Sequence, residues 1–136
     1  MRLQRPNPLP VELIIQQLVT QRVQWKQGGL DPTTGLGCYG LCHYAFALAG
    51  IALPQSAEEG QAVFYETAPP YAPWDLVLAS FGPLAGARHV GLLLQPPYGY
   101  HCSWISNGVA RFSLHQALWR RIIRRVLRYE GFCVCT

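Results

Sequence analysis

The chain has 136 residues, half of them hydrophobic and only 13% charged, which is the size of one domain and the composition of a globular protein with a real core. That balance excludes an intrinsically disordered chain, and no stretch has the uninterrupted apolar length of a membrane span. A net charge of +4 is too small for a nucleic-acid signature, and the basic run Arg120, Arg121, Arg124 and Arg125 has no aromatic recognition motif beside it, so it reads as a solvated face.

In chain order, "PVELIIQQLVTQRVQW" reads as a helix with Pro10 at its first helical position and Leu13, Ile14 and Leu18 at helical spacing. "QGGLDPTTGLG" is a loop of glycine and turn formers. From Cys38 to Ala49 nearly every residue is apolar or small, which predicts a buried central helix stopped by Gly50. Residues 55–73 form a long connection with Pro54, Pro69, Pro70 and Pro73 in or beside it. The period then changes. "WDLVLAS", "HVGLLLQ", "YHCSWI" and "VARFS" are short strand-like runs, "LHQALWRR" suits a brief helix, and "IIRRVLRYEGF" a last strand. Helices first and strands second predicts an α+β fold, a single domain over 1–136 with a helix packed on an antiparallel sheet.

One residue stands out chemically. Cys38 lies between Gly37 and Gly40 at the predicted start of the central helix. Unpaired N–H groups and the positive end of the helix dipole favour a thiolate there, and the same N–H groups can hold an oxyanion during acyl transfer. The flanking glycines let a substrate backbone approach closely. The chain has four imidazoles that could serve as base. His43 is on the same helix five residues on and should point away, and His115 sits among polar residues. His89 and His101 fall on neighbouring strands and suit a base and its orienting partner. The hairpin register across "QPPYG" cannot be fixed from the sequence, so whether they meet stays open. Cys42 and Cys102 read as core residues or near neighbours of the site.

These surroundings resemble the NlpC/p60 cell-wall cysteine peptidases, especially their phage-tail branch. "GGLDPTTGLGCYGLCHYAFALAGIALP" is similar to that family's nucleophile segment, "APWDLVLAS" to its Pro-Gly-Asp-Leu-Val strand and "ARHVGLLLQ" to its His-Val-Gly strand. "GYHCSWISNGVARFSL" resembles the element that follows, and Trp119 to Phe132 resembles the ending of phage members. The resemblance implies a papain-like core with Cys38 as nucleophile, His89 as base and His101 as polar orienter. It implies Trp25, Tyr39 and Gly40 at the substrate, no metal and no cofactor. The implied reaction is hydrolysis of an amide in the peptide stem of peptidoglycan, commonly beside D-glutamate. Two positions depart from the pattern: Gly37 stands where the family has Asp, and Trp25 where it often has Tyr. An indole donates but cannot accept, so a tyrosine's acceptor role is lost.

The start "MRLQRPNPLP" has no apolar signal-peptide core, which leads us to expect synthesis in a reducing cytoplasm with free thiols. Five cysteines cannot all pair within the chain. Cys133 and Cys135 at the C-terminus read as a frayed tail or as thiolates of a metal or cluster site shared with a partner. Delivery to the cell wall would then fall to an assembly. Phage tail-tip proteins are the expected partners, docking on the apolar tail and on the aromatic-bearing stretch Pro69–Trp74. An antibacterial amidase toxin and a non-enzymatic tail module are the alternatives.

Overall fold

Helix α1 (Leu9–Thr20) carries Pro10 in its first turn, where the amide it lacks would have no helical partner. In the computed structural model, which describes residues 2–80 and 88–133, the helix buries Val11, Ile15 and Leu18, an i, i+4, i+7 stripe. That is a rotation from the face the apolar run suggests. Leu13 is 62% exposed, because the sheet takes the Val11 side. Glu12 is buried on this stripe, and its carboxylate accepts from the Tyr100 hydroxyl at 3.1 Å and from the Gln95 side-chain amide. A carboxyl group is tolerated inside because both of its oxygens are bonded.

The glycine-rich loop contains a two-residue hairpin, β1 (Leu30–Asp31) with β2 (Gly35–Leu36), closed by Asp31 accepting from the backbone and hydroxyl of Thr33. Helix α2 (Cys38–Leu48) follows at once. Its stop is the expected one: Gly50 has φ +84, a conformation that a Cβ disfavours.

Within the predicted connection 55–73 the chain forms a short helix α3 (Ala57–Gly60), a 3-10 turn (Gln61–Val63) and strand β3 (Phe64–Glu66). Then come β4 (Leu76–Ser80), β5 (Arg88–Gln95), β6 (Tyr98–Ser103), β7 (Gly108–Ser113), helix α4 (Ala117–Ile122) and β8 (Ile123–Tyr129). Their order in the antiparallel sheet is β3-β8-β4-β5-β6-β7. This is the α+β architecture the pattern predicts, with β3 as an addition. Only Phe64 of its three residues is buried, so β3 shows no alternation to read.

The two faces of the sheet are covered differently. Leu76, Val90, Leu92, Tyr100, Cys102 and Leu127 pack with Leu41, Ala45 and Phe46 of α2. On the other face Val77, Ala79, Leu93, Phe112 and Val126 pack with Trp119 and Ile122 of α4.

Trp74 is wholly buried, edge-on to Phe46, with its indole N–H donating to the Pro6 carbonyl at 2.8 Å. It therefore offers no docking surface, contrary to the expectation for this aromatic, while Tyr71 of the same stretch is half-buried and Pro69 and Pro70 are exposed. Its φ of +78 lies in the left-handed region, which accounts for a glycine in the pattern the chain otherwise resembles here. Next to it, buried Asp75 accepts from Arg128 of β8 at 2.8 and 2.9 Å and from the Ala72 amide, tying the start of β4 to its neighbour. The chain ends meet: Leu3 and Phe132 form a parallel bridge, and the Cys133 thiol lies 3.5 Å from the Arg2 carbonyl. Cys135 lies outside the described residues.

Candidate active site

Cys38 is the first residue of α2, with Gly37 as N-cap in extended conformation and no side chain capping the helix. The loop in front is locked by backbone. Gly37 N–H donates to the Gly29 carbonyl at 2.9 Å, and Gly29 N–H donates to the Lys26 carbonyl at 2.9 Å. Gly40 is part of this lock. A Cβ there would lie 1.7 Å from the Gly29 oxygen, so its bare Cα lets the helix sit against the loop.

The histidines come together through sheet register. His89 pairs with Ala79 and His101 with Gly91, two residues beyond His89, so the imidazoles are diagonal neighbours on one face. His89 Nε2 and His101 Nδ1 are 2.9 Å apart. One nitrogen must donate and the other accept. With Nε2 of His89 as donor, its Nδ1 carries the lone pair a base needs. Trp119 lies edge-on to His101 at 5.0 Å and tilted to His89 at 6.0 Å, and it stacks on Phe112 at 3.9 Å. This apolar cover pushes both imidazoles down from 6.5. His89 goes to about 3, through burial and then the neighbouring His101, and His101 to about 4 through burial.

Cys38 and His89 line one cleft of about 410 Å³ at the end of β4 and the start of β5. Leu78 and Val90 reach it from the α2 face, Ala79 and His89 from the α4 face, and α3 contributes Ala57. The volume suits a peptide-sized ligand. Arg88, Arg124 and Arg125 also line it, so part of the predicted solvated face belongs to the cleft. The sequence signal for that was only the run of arginines.

The remaining thiols differ from Cys38. Cys42 is fully buried, and burial followed by the nearby Cys38 pushes its thiol well up. Cys102 is raised to about 12 by burial and then Cys38, and its thiol donates to the Leu36 carbonyl at 3.0 Å. Cys38 is partly exposed.

The three expected substrate contacts are spread out. Tyr39 lines a smaller adjoining cavity, and its hydroxyl donates to the Pro54 carbonyl at 2.6 Å. Burial, then Cys42 and Glu59, raise that phenol to about 12. Trp25 bridges Leu36 and packs on the core. Neither Trp25 nor Gly40 is among the residues lining the Cys38 cleft. Among the described residues no group of three His, Cys, Asp or Glu side chains is arranged to hold a metal ion.

Comparison with known proteins places the fold. A Staphylococcus aureus protein similar to a lipoprotein of the NLP/P60 family superposes with a TM-score of 0.71 at 21% identity, over 94% of this chain and 43% of that one. The peptidoglycan hydrolase RipB of Mycobacterium tuberculosis matches with a TM-score of 0.59 at 18% identity, over 98% of this chain and 75% of that one. RipD of the same organism, a non-catalytic NlpC/p60 domain protein adapted to peptidoglycan binding, matches with a TM-score of 0.57 at 21% identity, over 86% and 94%. The chain thus spans less than half the length of the Staphylococcus protein. No curated protein matches it. The NlpC/P60 family model matches residues 22–128, a span that holds Cys38, His89 and His101 together, and the chain belongs to the NlpC/P60 family.

Proposed function

We propose that the chain is a cysteine peptidase that hydrolyses an amide bond in the peptide stem of bacterial peptidoglycan. The observation that carries this reading is the His89–His101 hydrogen bond, set on the wall of the cleft that Cys38 enters from a helix N-terminus. His89 takes the thiol proton at Nδ1, and the sulfur attacks the amide carbonyl carbon. The helix-end N–H groups hold the developing oxyanion. As the C–N bond breaks, His89 returns the proton to the leaving amine, leaving a thioester. Water, deprotonated by the same imidazole, then releases the acid and restores the thiol. His101 keeps the tautomer and ring angle of His89 throughout. The depressed imidazoles keep His89 and His101 neutral, so His89 starts as the free base that takes the thiol proton.

The setting we favour is a phage tail tip, supported by the likeness of Trp119–Phe132 to the ending of phage members; an exported toxin is the alternative. The test is hydrolysis of defined muropeptides, followed by mass spectrometry of the products. Cys38→Ala and His89→Ala should each lower turnover by about a thousandfold or more, and His101→Gln by less. A second reading, a peptidoglycan-binding module without turnover, is favoured by Gly37 in place of the usual Asp and by the likeness to RipD. Intact muropeptide bound but never cut would establish it instead.

A further inference from the structure

Adjacent residues of a regular strand point to opposite faces of the sheet. Arg124 and Arg125 of β8 nonetheless both line the Cys38–His89 cleft, which opens at the end of the sheet and takes residues from both faces. At this point β8 carries a β-bulge. Leu78 is registered with Arg125 and the next residue, Ala79, with Ile123, so Arg124 is an extra residue with no partner on β4. The bulge takes it out of the regular alternation, next to Arg125 at the cleft. Arg88, registered with Ser80 at the same end of β4–β5, brings a third guanidinium to the cleft.

Nothing among the described lining residues offsets these charges, because none of them is acidic. Arg125 has Glu66 at 3.9 Å, but both side chains are more than half exposed, and such a pair is readily exchanged for a better one. Arg124 uses one terminal nitrogen to donate to the Arg121 and Ile123 carbonyls, at 3.0 and 3.3 Å, which anchors the guanidinium over the bulge. Its fork keeps further donors for a ligand.

We propose that this end of the cleft is a carboxylate subsite, holding a free carboxylate of the peptide beside the scissile amide, so that acidic stems are selected over amidated ones. The identity of the ligand rests on the peptidase reading above. A carboxylate accepts two parallel charge-assisted bonds from a guanidinium, whereas a carboxamide is neutral and offers one oxygen. The two stems differ by a single group, and the bulge sets the arginines where that group would be read.

The experiment compares binding of two probes to the full chain carrying Cys38→Ala: a γ-D-glutamyl stem peptide with a free α-carboxylate, and the same peptide as its α-amide. Calorimetry should show the acid bound about tenfold or more tighter, with the preference fading at high salt. Adding Arg124→Gln with Arg125→Gln, both exposed positions, should bring the ratio close to one, and Arg88→Gln alone should narrow it. Equal affinity for acid and amide, a preference untouched by the arginine changes, or no binding of either probe would overturn the proposal. Because binding is read without turnover, a chain that selects the acid but never cuts it would retain the subsite and lose only the peptidase reading.

Discussion

At 2.9 Å, the facing nitrogens of His89 and His101 accommodate one proton between them, and burial beside Trp119 disfavours a second. Both imidazoles are depressed, so between pH 6.5 and the folded values the unfolded chain binds more protons than the folded one. Stability is therefore full above about pH 6.5 and is lost as pH falls, by about 1.4 kcal/mol for each unit of depression. Thermal unfolding from pH 7 to pH 4 should show a falling midpoint, and the His89→Gln, His101→Gln double variant should show a shallower fall. An identical slope in that variant would mean that other groups carry the acid sensitivity. The pairing of these two histidines was half legible. Their strands and their distance along the chain could be read, but the contact depends on His101 registering with Gly91, and a hairpin turn does not reveal register. Gly91 makes room as well, since a Cβ there would lie 2.8 Å from the Phe112 ring.

Among the elements, α2 was the most legible, because a run of apolar and small residues ended by Gly50 has few other readings. Its start is more demanding than its stop. With Gly40 so close to the Gly29 carbonyl, Gly40→Ala should force helix and loop apart, costing about 1–3 kcal/mol or more in denaturant unfolding. Activity should fall further than stability alone explains, because the displaced loop carries Gly37, the cap beside the nucleophile. A variant as stable as the parent would show that the loop yields freely. The bulge in β8 was not legible. "IIRRVLRY" runs in apolar and basic doublets with no period of two, so no face can be assigned along it and nothing local marks one residue as unpaired. The arginines were accordingly read as facing water, although two of them line the cleft.

For the whole molecule, the order of helices and strands was enough to predict the α+β class, while the strand order of the sheet was not. β8, the last strand, inserts between β3 and β4, and that placement depends on long-range pairs such as Asp75 with Arg128. The meeting of the two chain ends was equally hidden, since Leu3 and Phe132 are short-range neighbours of nothing that sequence periodicity reports.

That closure makes the covalent starting point of the chain nearly arbitrary. The Leu3 amide donates to the Gly131 carbonyl at 2.7 Å and the Cys133 amide donates to the Leu3 carbonyl at 2.7 Å, so a few glycines would bridge Arg2 and Cys133 without strain. A circular permutant so joined, and reopened between the exposed residues Trp104 and Ile105, should fold to the same sheet with a melting temperature within several degrees of the parent. An unfolded permutant would mean that the terminal segments must be free to dock in sequence. A folded one would present both new ends from the β6–β7 turn, and a partner fused there would sit at a different pole of the domain from one joined beside Leu3 or Phe132.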